Sequence, residues 1–359
     1  MRSPMDTKPK VDFTAGFSCP IPLMDYPAVL LAHGGGGTLS RQLIRSMFFS
    51  QFNNPILNQE HDGAVISLGG TQLAFSTDSY VVHPVFFPGG NIGELAVYGT
   101  VNDLAMCGAT PRYLSAAFII EEGFSMERLW MIVRSMQQAA ERSSVQLVTG
   151  DTKVVDRGKG DGIFITTSGI GVIGEGISIS PHRAEPGDAI MLSGRIAEHG
   201  IAIMSAREGI EFETQVTSDC APLNDLVETI LKVSKNVHVF RDPTRGGVAS
   251  ALNEIADAAH VGIVIDETTI PVTEEVRGAC EILGLDPLYI ANEGKLIAFV
   301  PGGESSKILA AMRSHPDGKD AVVIGNVVPT HPGTVVMRTS IGGNRVVDMI
   351  SGEQLPRIC

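Results

Sequence analysis

The chain has 359 residues, of which 43% are hydrophobic and 19% are charged. This composition excludes wholesale disorder, and the length suits two folded domains. Asp and Glu number 40 against 27 Lys and Arg, so the formal net charge is −13. An acidic chain is a poor ligand for nucleic acid or an anionic membrane surface, and no apolar run approaches the length of a membrane span. We therefore predict that neither nucleic acid nor a membrane is a partner.

The first half of the chain mixes strand and helix patterns after a polar, proline-containing extension over residues 1–32. Apolar residues recur at helical spacing over 39–48 and 92–107, and Ser125 is placed to cap a third helix. Strand patterns occupy residues 71–82, 113–120, 145–150 and 161–174. We assign residues 33–175 to a first domain.

A stretch rich in glycine and proline, GEGISISPHRAEPGD, interrupts the pattern and marks the domain boundary. Beyond it, strand patterns occupy residues 188–194, 261–267, 295–300, 321–328 and 334–338, and helical patterns occupy 199–208, 222–234 and 246–260. The order is not a clean βαβα alternation. It predicts an α+β protein of two domains, each a sheet covered by helices, with the second domain over 186–344 and a tail over 345–359.

The cysteines are few, odd in number and far apart; they are Cys19, Cys107, Cys220, Cys280 and Cys359. No CxxC pair occurs, which argues against a zinc site or a dithiol redox site. The first residues also lack the compact apolar stretch of a secretory signal. We expect a reducing, cytoplasmic location.

Four carboxylates stand at predicted strand ends and turns: Asp62, Asp78, Asp103 and Asp151. Oxygen ligands of this kind suit Mg²⁺, which binds a few carboxylates together with phosphate and water. Taken singly, each residue is more typical of a helix cap or a turn, and the spacing does not show that the four converge. The loops usual for nucleotide binding, GxxxxGK[ST] and the kinase set, are missing.

Other candidates each carry two interpretations. The turn Gly34–Gly37 before a helix is a phosphate cradle or a hinge. Arg241 and Arg245 in RDPTRGGV suit phosphate contacts, or an Arg–Asp pair that fixes a turn. Glu293, in the turn before a strand, is a base or an ion-pair partner. Lys153, just past a strand, stabilises a phosphoryl group or is a solvated loop lysine.

The last residue, Cys359, is a terminal thiol on the polar tail SGEQLPRIC. Its own α-carboxylate disfavours the thiolate, so activation would have to come from another site. The alternative is an incidental terminus.

Together, these motifs resemble one family. AHGGGG, FSTDSYVV, VNDLAMCGATP, VTGDTKVV, RDPTRGGV, ANEGKL and terminal LPRIC occur in the order of the HypE hydrogenase maturation factors, the carbamoyl dehydratases. The resemblance covers about residues 32–359, and the terminal PRIC is its most specific part. The wider superfamily includes aminoimidazole ribonucleotide synthetase, selenophosphate synthetase and thiamine-monophosphate kinase.

The resemblance implies two α/β domains of the aminoimidazole ribonucleotide synthetase type, a homodimer formed through the sheet of the first domain, and a mobile tail. It implies ATP in the dimer-related cleft with Mg²⁺ on Asp62, Asp78, Asp103 and Asp151. The same comparison gives Gly34, Gly35 and Asn102 as further cofactor-binding residues. Lys153 and Glu293 match catalytic positions.

Cys359 matches the cysteine that receives a carbamoyl group from the carbamoyltransferase HypF. ATP-dependent dehydration would convert that group to a thiocyanate, and the cyanide would pass to iron on the HypC–HypD complex for [NiFe]-hydrogenase. Two alternatives stay open. One is a small-molecule kinase or a selenophosphate-synthetase-like enzyme, although no cysteine adjoins Gly34–Gly37 and Cys19 is 14 residues before His33. The other is a non-catalytic assembly scaffold.

Overall fold

The computed structural model describes residues 26, 28–209, 216–350 and 357–359. Most of the predicted extension, including Cys19, and residues 351–356 of the tail lie outside the described residues. In the first half, the elements in chain order are α1 (Thr38–Leu43), a π-helical stretch (Ile44–Phe49), α2 (Ser50–Phe52), β1 (Ala64–Leu68), β2 (Thr71–Tyr80), β3 (Phe86–Phe87), β4 (Gly90–Asn91), α3 (Ile92–Met106), β5 (Ala109–Glu121), α4 (Met126–Arg142), β6 (Gln146–Val155) and β7 (Ile163–Ile173).

The first sheet has the strand order β1-β2-β7-β5-β6, antiparallel except for the parallel pair β5–β6. Helices α3 and α4 cover one face, where Leu95, Ile132 and Ile165 are fully buried. No helix among the described residues covers the other face. It presents large apolar side chains, including Tyr113, at 50% exposure, and Ile119, at 46%.

The second half begins with β8 (Asp188–Leu192), α5 (Glu198–Glu208), α6 (Asn224–Val233), β9 (Val239–Arg241), α7 (Gly247–Ala259) and β10 (Gly262–Asp266). It continues with α8 (Glu274–Leu283), β11 (Ile297–Pro301), α9 (Ser305–Ser314), β12 (Val322–Val328), β13 (Val335–Arg338) and β14 (Asn344–Val346).

The second sheet has the strand order β14-β13-β10-β12-β8-β11-β9 and is covered on both faces. Alternate residues of β8 show this arrangement. Ile190 and Leu192 belong to the core with α5, α7 and α8, whereas Met191 belongs to the core with α6 and α9. Burial on both faces explains why the central strands are almost wholly apolar instead of alternating. The fold is therefore α+β, as predicted from the sequence.

Helix α3 joins the two halves. Its last residues, Ala105 and Met106, pack in the core of the second sheet with α6. One turn earlier, the Asn102 side-chain amide donates to the carbonyls of Ala221 (3.1 Å) and Glu293 (3.4 Å), and its oxygen accepts from the Leu223 N–H at 2.8 Å. This side chain is 1% exposed. Asn102 therefore fixes the loop that carries Glu293; its predicted contact with the cofactor stays a prediction.

The end of the chain is docked between the two halves. Val81 N–H donates to the Cys359 carbonyl at 3.0 Å, and His83 N–H to the Arg357 carbonyl at 3.3 Å, so the tail runs alongside the segment after β2. Ile358 and Cys359 are buried in the core of the first sheet. Among the described residues, no helix combines the length and hydropathy needed to cross a membrane.

Candidate active site

A cavity of about 440 Å³ lies where the two halves meet. Its walls come from the glycine-rich turn, α1, β2, α3 and the segment between β9 and α7. The charged side chains lining it include Asp62, Asp78, Asp103, Asp242, Arg241 and Arg245. The fold therefore brings three of the four predicted aspartates to one place, together with both arginines of RDPTRGGV.

Three carboxylates in this cavity form a compact cluster. Oxygens of Asp62, Asp103 and Asp242 all lie within 4.8 Å of one another. Burial, then repulsion from Asp242, holds the pKa of Asp103 well above its usual range. Burial, then repulsion from Asp62, raises the pKa of Asp242 to about 7, although Arg241 opposes the shift. The arrangement is electrostatically costly without a cation.

The hydrogen bonding of the cluster is also incomplete. Arg241 Nη1 is 2.6 Å from Asp62 Oδ1, and Ser76 Oγ donates to Asp103 Oδ2 at 2.6 Å. Asp62 Oδ2 is buried and has no hydrogen-bond partner among the described residues. An orphaned carboxylate oxygen beside two further carboxylates is a donor set that suits a divalent cation.

Glu293 stands in the turn before β11 and is 3% exposed. Its backbone N–H donates to Asp219 Oδ1 at 3.1 Å, which fixes the turn. Burial, then the negative charges of Asp242, Asp219 and Asp78, holds its pKa well above the usual range, against the opposing effect of Arg245. Its Oε1 atom is buried and lacks a hydrogen-bond partner in the described part of the chain. Burial therefore favours the protonated carboxyl group, and once ionised the carboxylate would be a stronger base than an exposed glutamate.

The terminal Cys359 is placed among the same charges. Burial raises the pKa of its thiol to about 12; Arg245 opposes this, whereas Glu293 and Asp78 add to it. Arg245 Nη2 is in turn 4.0 Å from Asp78 Oδ1. At neutral pH the docked thiol is thus protonated and a poor nucleophile.

Within the glycine-rich turn, the residues that line the cavity follow the two that were predicted to bind the cofactor. Gly36 and Gly37 line the cavity, whereas Gly34 and Gly35 do not. Gly36 has a φ of +74°, and a Cβ there would lie 2.8 Å from Arg245 Cβ. The glycines therefore permit close approach of the turn to the RDPTRGGV segment.

Asp151 and Lys153 lie away from this cavity, on the exposed edge strand β6. Their side chains pair with each other, with Lys153 Nζ 2.7 Å from Asp151 Oδ2. They stand opposite Ala117 and Ile119 of β5 in the register of the parallel pair. They therefore share the uncovered face of the first sheet, and the single chain does not bring them to the carboxylate cluster.

Sequence reasoning did not identify Asp242 or Asp219. The RDPTRGGV motif indicates phosphate contacts through its arginines, and its aspartate is predicted only as the partner in an Arg–Asp pair. The structure uses Arg241 for an ion pair with Asp62 and Glu254. Asp242 had a signal within that motif, whereas nothing local marked Asp219, since its contact to Glu293 joins distant parts of the chain.

Comparison with known proteins defines the class first. The AIR synthase related protein N-terminal domain matches residues 60–173, and the AIR synthase related protein C-terminal domain matches residues 185–338. The chain thus has the two-domain AIR synthase fold.

Closer relatives identify the family. "Carbamoyl dehydratase HypE" of Cupriavidus necator is 54% identical over 330 residues, which cover 92% of this chain and 94% of that protein. A crystal structure of HypE in complex with ATP has 50% identity and a TM-score of 0.78, covering 92% of this chain and 100% of that one. A crystal structure of a HypE–HypF complex has 49% identity and a TM-score of 0.82, covering 86% of this chain and 99% of that one. The chain belongs to the HypE family, as its motifs predicted.

Proposed function

We propose that this chain is an ATP-dependent carbamoyl dehydratase of hydrogenase maturation whose substrate is a carbamoyl group on its own Cys359. The observation that carries the proposal is that docked Cys359 interacts electrostatically with Arg245, Glu293 and Asp78, of which Arg245 and Asp78 line the cavity that holds the carboxylate cluster. The names of its relatives and the ATP complex of one of them support the same reaction. Because the substrate is tethered to the enzyme, effective concentration replaces substrate binding.

The chemistry requires activation of an amide oxygen, which is a poor leaving group. Transfer of the γ-phosphoryl group of ATP to that oxygen gives S–C(OPO₃)=NH and ADP, with loss of one nitrogen proton. Departure of phosphate breaks the C–O bond, and loss of the second nitrogen proton completes the C≡N bond of the thiocyanate. Phosphoryl transfer needs positive charge around the phosphate, and each proton loss needs a base.

We assign Glu293 as the general base that accepts the protons lost from the nitrogen. Its raised pKa makes the ionised carboxylate a stronger base than an exposed glutamate, and its Oε1 has no competing partner among the described residues. Arg245, opposite Asp78, supplies a fixed positive charge beside the terminal cysteine. Attraction to ionised Cys359 and to Asp78 raises the pKa of this guanidinium, so it stays protonated at neutral pH, where the Cys359 thiol is still neutral.

The carboxylate cluster fits Mg²⁺. We infer that Asp62, Asp103 and Asp242 hold the ion, with Asp78 near the phosphates. When bound, Mg²⁺ would neutralise phosphate charge. The orphaned Asp62 Oδ2 and the raised pKa values of Asp103 and Asp242 support this assignment.

A homodimer through the uncovered face of the first sheet accounts for Asp151 and Lys153. We infer that the apolar side chains on this face, including Tyr113, Ile119 and Ile170, pack against a second copy. Asp151 and Lys153 share that face, so dimerisation would bury this pair at the interface. Lys153 would then stabilise phosphate across the interface.

We infer a partner on each side of the reaction. A HypF-type carbamoyltransferase would load Cys359, as the HypE–HypF complex of a relative suggests, and a HypC–HypD complex would take the cyanide. The docked thiol is buried and protonated, so loading requires the tail to leave its docked position. The free cysteines suit the reducing cytoplasm, where we place these steps.

ATP turnover in the presence of the carbamoyltransferase and carbamoyl phosphate tests the proposal. We expect ADP formation by the chain only after Cys359 is carbamoylated, none with Cys359→Ala, and normal turnover with the control Cys280→Ala. Full ATP-dependent turnover of a free small molecule by Cys359→Ala would instead identify a kinase. Tail binding without any ATP turnover would identify a scaffold.

A further inference from the structure

The last three residues are held through their backbone carbonyls. The Cys359 carbonyl accepts from Val81 N–H and the Arg357 carbonyl from His83 N–H, both in the first domain. The carbonyl of Ile358, between them, is 2.8 Å from Nε2 of His199. His199 is in the first turn of α5 in the second domain and is fully buried.

The neighbours of His199 define its protonation. Because Nε2 meets a carbonyl, Nε2 carries the proton and donates. Nδ1 is 2.8 Å from Ser218 Oγ, which accepts from Cys220 N–H at 3.1 Å, so the Ser218 hydroxyl donates to Nδ1. Burial lowers the pKa of the imidazole, which keeps this neutral form. The ring also meets the Phe87 ring edge to face, with centroids 5.6 Å apart.

A second contact comes from the other end of α5. Arg207 Nη2 donates to the Arg357 carbonyl at 2.8 Å, and Arg207 also donates to the His83 carbonyl, at 3.0 Å from Nε and 2.7 Å from Nη2. Helix α5 of the second domain therefore hydrogen-bonds both to the tail and to the segment of the first domain that pairs with the tail.

The same contacts lead to the proposed base. Ser218 orients His199, and the next residue, Asp219, accepts from the backbone N–H of Glu293 through Oδ1. Asp219 Oδ2 also lies 3.2 Å from Lys295 Nζ. Segment 218–219 thus contacts both His199, which holds the tail, and the backbone of Glu293.

We propose that His199, oriented by Ser218 and assisted by Arg207, is a latch that holds the C-terminal tail in its docked position. His199 is a positioning residue: it acts on the Ile358 carbonyl, one residue from the reactive thiol. Its role in dehydration rests on the proposed function, whereas its role in docking does not. The latch favours dehydration, which needs the docked tail, and opposes loading, which needs the tail released.

Alkylation of Cys359 by iodoacetamide, followed by mass spectrometry of the C-terminal peptide, tests docking in the full-length protein. His199→Phe keeps a ring but loses the donor, and we expect Cys359 to react about tenfold faster, the size expected for losing one buried hydrogen bond. His199→Gln restores a donor and should return the rate toward that of the wild type. The buried Cys107 and Cys280 are internal controls whose rates should not change.

An unchanged Cys359 rate in His199→Phe, with the two control cysteines protected, would overturn the latch. If all three cysteines react faster, the fold has opened, and Ser218→Ala and Arg207→Met decide the question. Faster alkylation of Cys359 alone in either variant supports the latch, and an unchanged rate in both overturns it.

The two half-reactions give a second readout that a purely structural role would not produce. We expect His199→Phe to accelerate carbamoylation of Cys359 and to slow its dehydration at saturating ATP. A decrease in both would contradict the latch. Failure of the proposed function is distinguishable, because the wild type would then form no thiocyanate while its alkylation rates remained informative.

Discussion

At the scale of single residues, burial sets the chemistry of this site. Glu293, Asp103 and Asp242 have raised pKa values for the same first reason, loss of hydration, and a second shared reason, repulsion between carboxylates. The same burial keeps Cys359 protonated while it is docked. The repulsion between these carboxylates is an electrostatic cost that a bound Mg²⁺ would reduce.

Glu293→Gln should separate the two half-reactions. The amide keeps the shape of the side chain but cannot accept a proton, so we expect normal carbamoylation of Cys359 and dehydration slowed by about 10²–10⁴-fold. The C-terminal peptide would then accumulate in its carbamoylated form, as measured by mass spectrometry. The exposed Glu122→Gln is the control, and normal thiocyanate formation in Glu293→Gln would remove Glu293 from the mechanism.

Asp242→Asn should stabilise the protein when Mg²⁺ is absent. The pKa of Asp242 is raised to about 7 in the folded state, so the folded chain holds this proton more tightly than the unfolded chain does. Stability therefore falls as pH rises towards 7, and the penalty is fully present at about pH 8. Neutral Asn removes the penalty.

Thermal unfolding at about pH 8 measures this effect. We expect a higher Tm for Asp242→Asn without Mg²⁺, and a smaller Mg²⁺-dependent rise in Tm than the wild type shows. An equal Mg²⁺ response in the two proteins would contradict the assignment of Asp242 to the ion site.

A site residue could be predicted from the sequence when the residues next to it formed a recognisable motif. Asp62, Asp78 and Asp103 occur in recognisable motifs, and the fold brings them to one cavity. The role of Asn102 could not be predicted, because its three hydrogen bonds reach residues more than a hundred positions away.

At the scale of elements, helix α3 is the link that positions the site. One face of α3 packs on the first sheet, and its end enters the core of the second. Because Asn102 holds the carbonyl of Glu293 and the start of α6, movement of one domain relative to the other would displace the base.

Asn102→Ala should lower the free energy of unfolding. The substitution leaves buried backbone groups of Ala221, Leu223 and Glu293 without their partner, which costs about 3 kcal/mol. Equilibrium unfolding in urea measures the loss, and the exposed Asn344→Ala on β14 should change stability by less than about 0.5 kcal/mol. Equal stabilities for the two variants would show that Asn102 is not a structural link.

The longer elements were readable from periodicity, and the short ones were not. Strands β2, β5 and β7 and helices α3, α5 and α7 follow the predicted patterns closely. The three-residue strands β9 and β14 are too short to show a period. Two elements that were not predicted do have signals in the sequence. The β1–β2 hairpin turns on Gly69–Gly70, both at positive φ. Helix α8 is capped by Thr273 and ends at Gly284.

At the scale of the whole molecule, one face of the first sheet remains uncovered by the described residues and exposes large apolar side chains. The sequence predicted the strands but not which face of the sheet would lack helices. The alternating pattern of β5 and β7 is equally compatible with helices or with a partner subunit covering that face. A homodimer would cover this face and enclose Lys153.

Ile119→Asp should convert the proposed dimer to a monomer, because it places a charge on the apolar face. Sedimentation velocity measures the change, and Ile282→Asp, at an equally apolar but separate position that is 73% exposed on α8, should leave the assembly unaltered. Lys153→Ala should keep the dimer and lower dehydration about a hundredfold or more. A wild-type monomer with full activity would contradict this assembly.

The claim on which the whole account depends is that the oxygen of the Cys359 carbamoyl group leaves as phosphate. The direct measurement supplies the carbamoyl group with a heavy-oxygen label, adds ATP, and records the masses of the C-terminal peptide and the released phosphate. We predict loss of one water from the peptide, only with ATP and only when Cys359 is present, with the label recovered in phosphate. Label recovered in water, or a peptide that stays carbamoylated after ATP is consumed, would contradict the account.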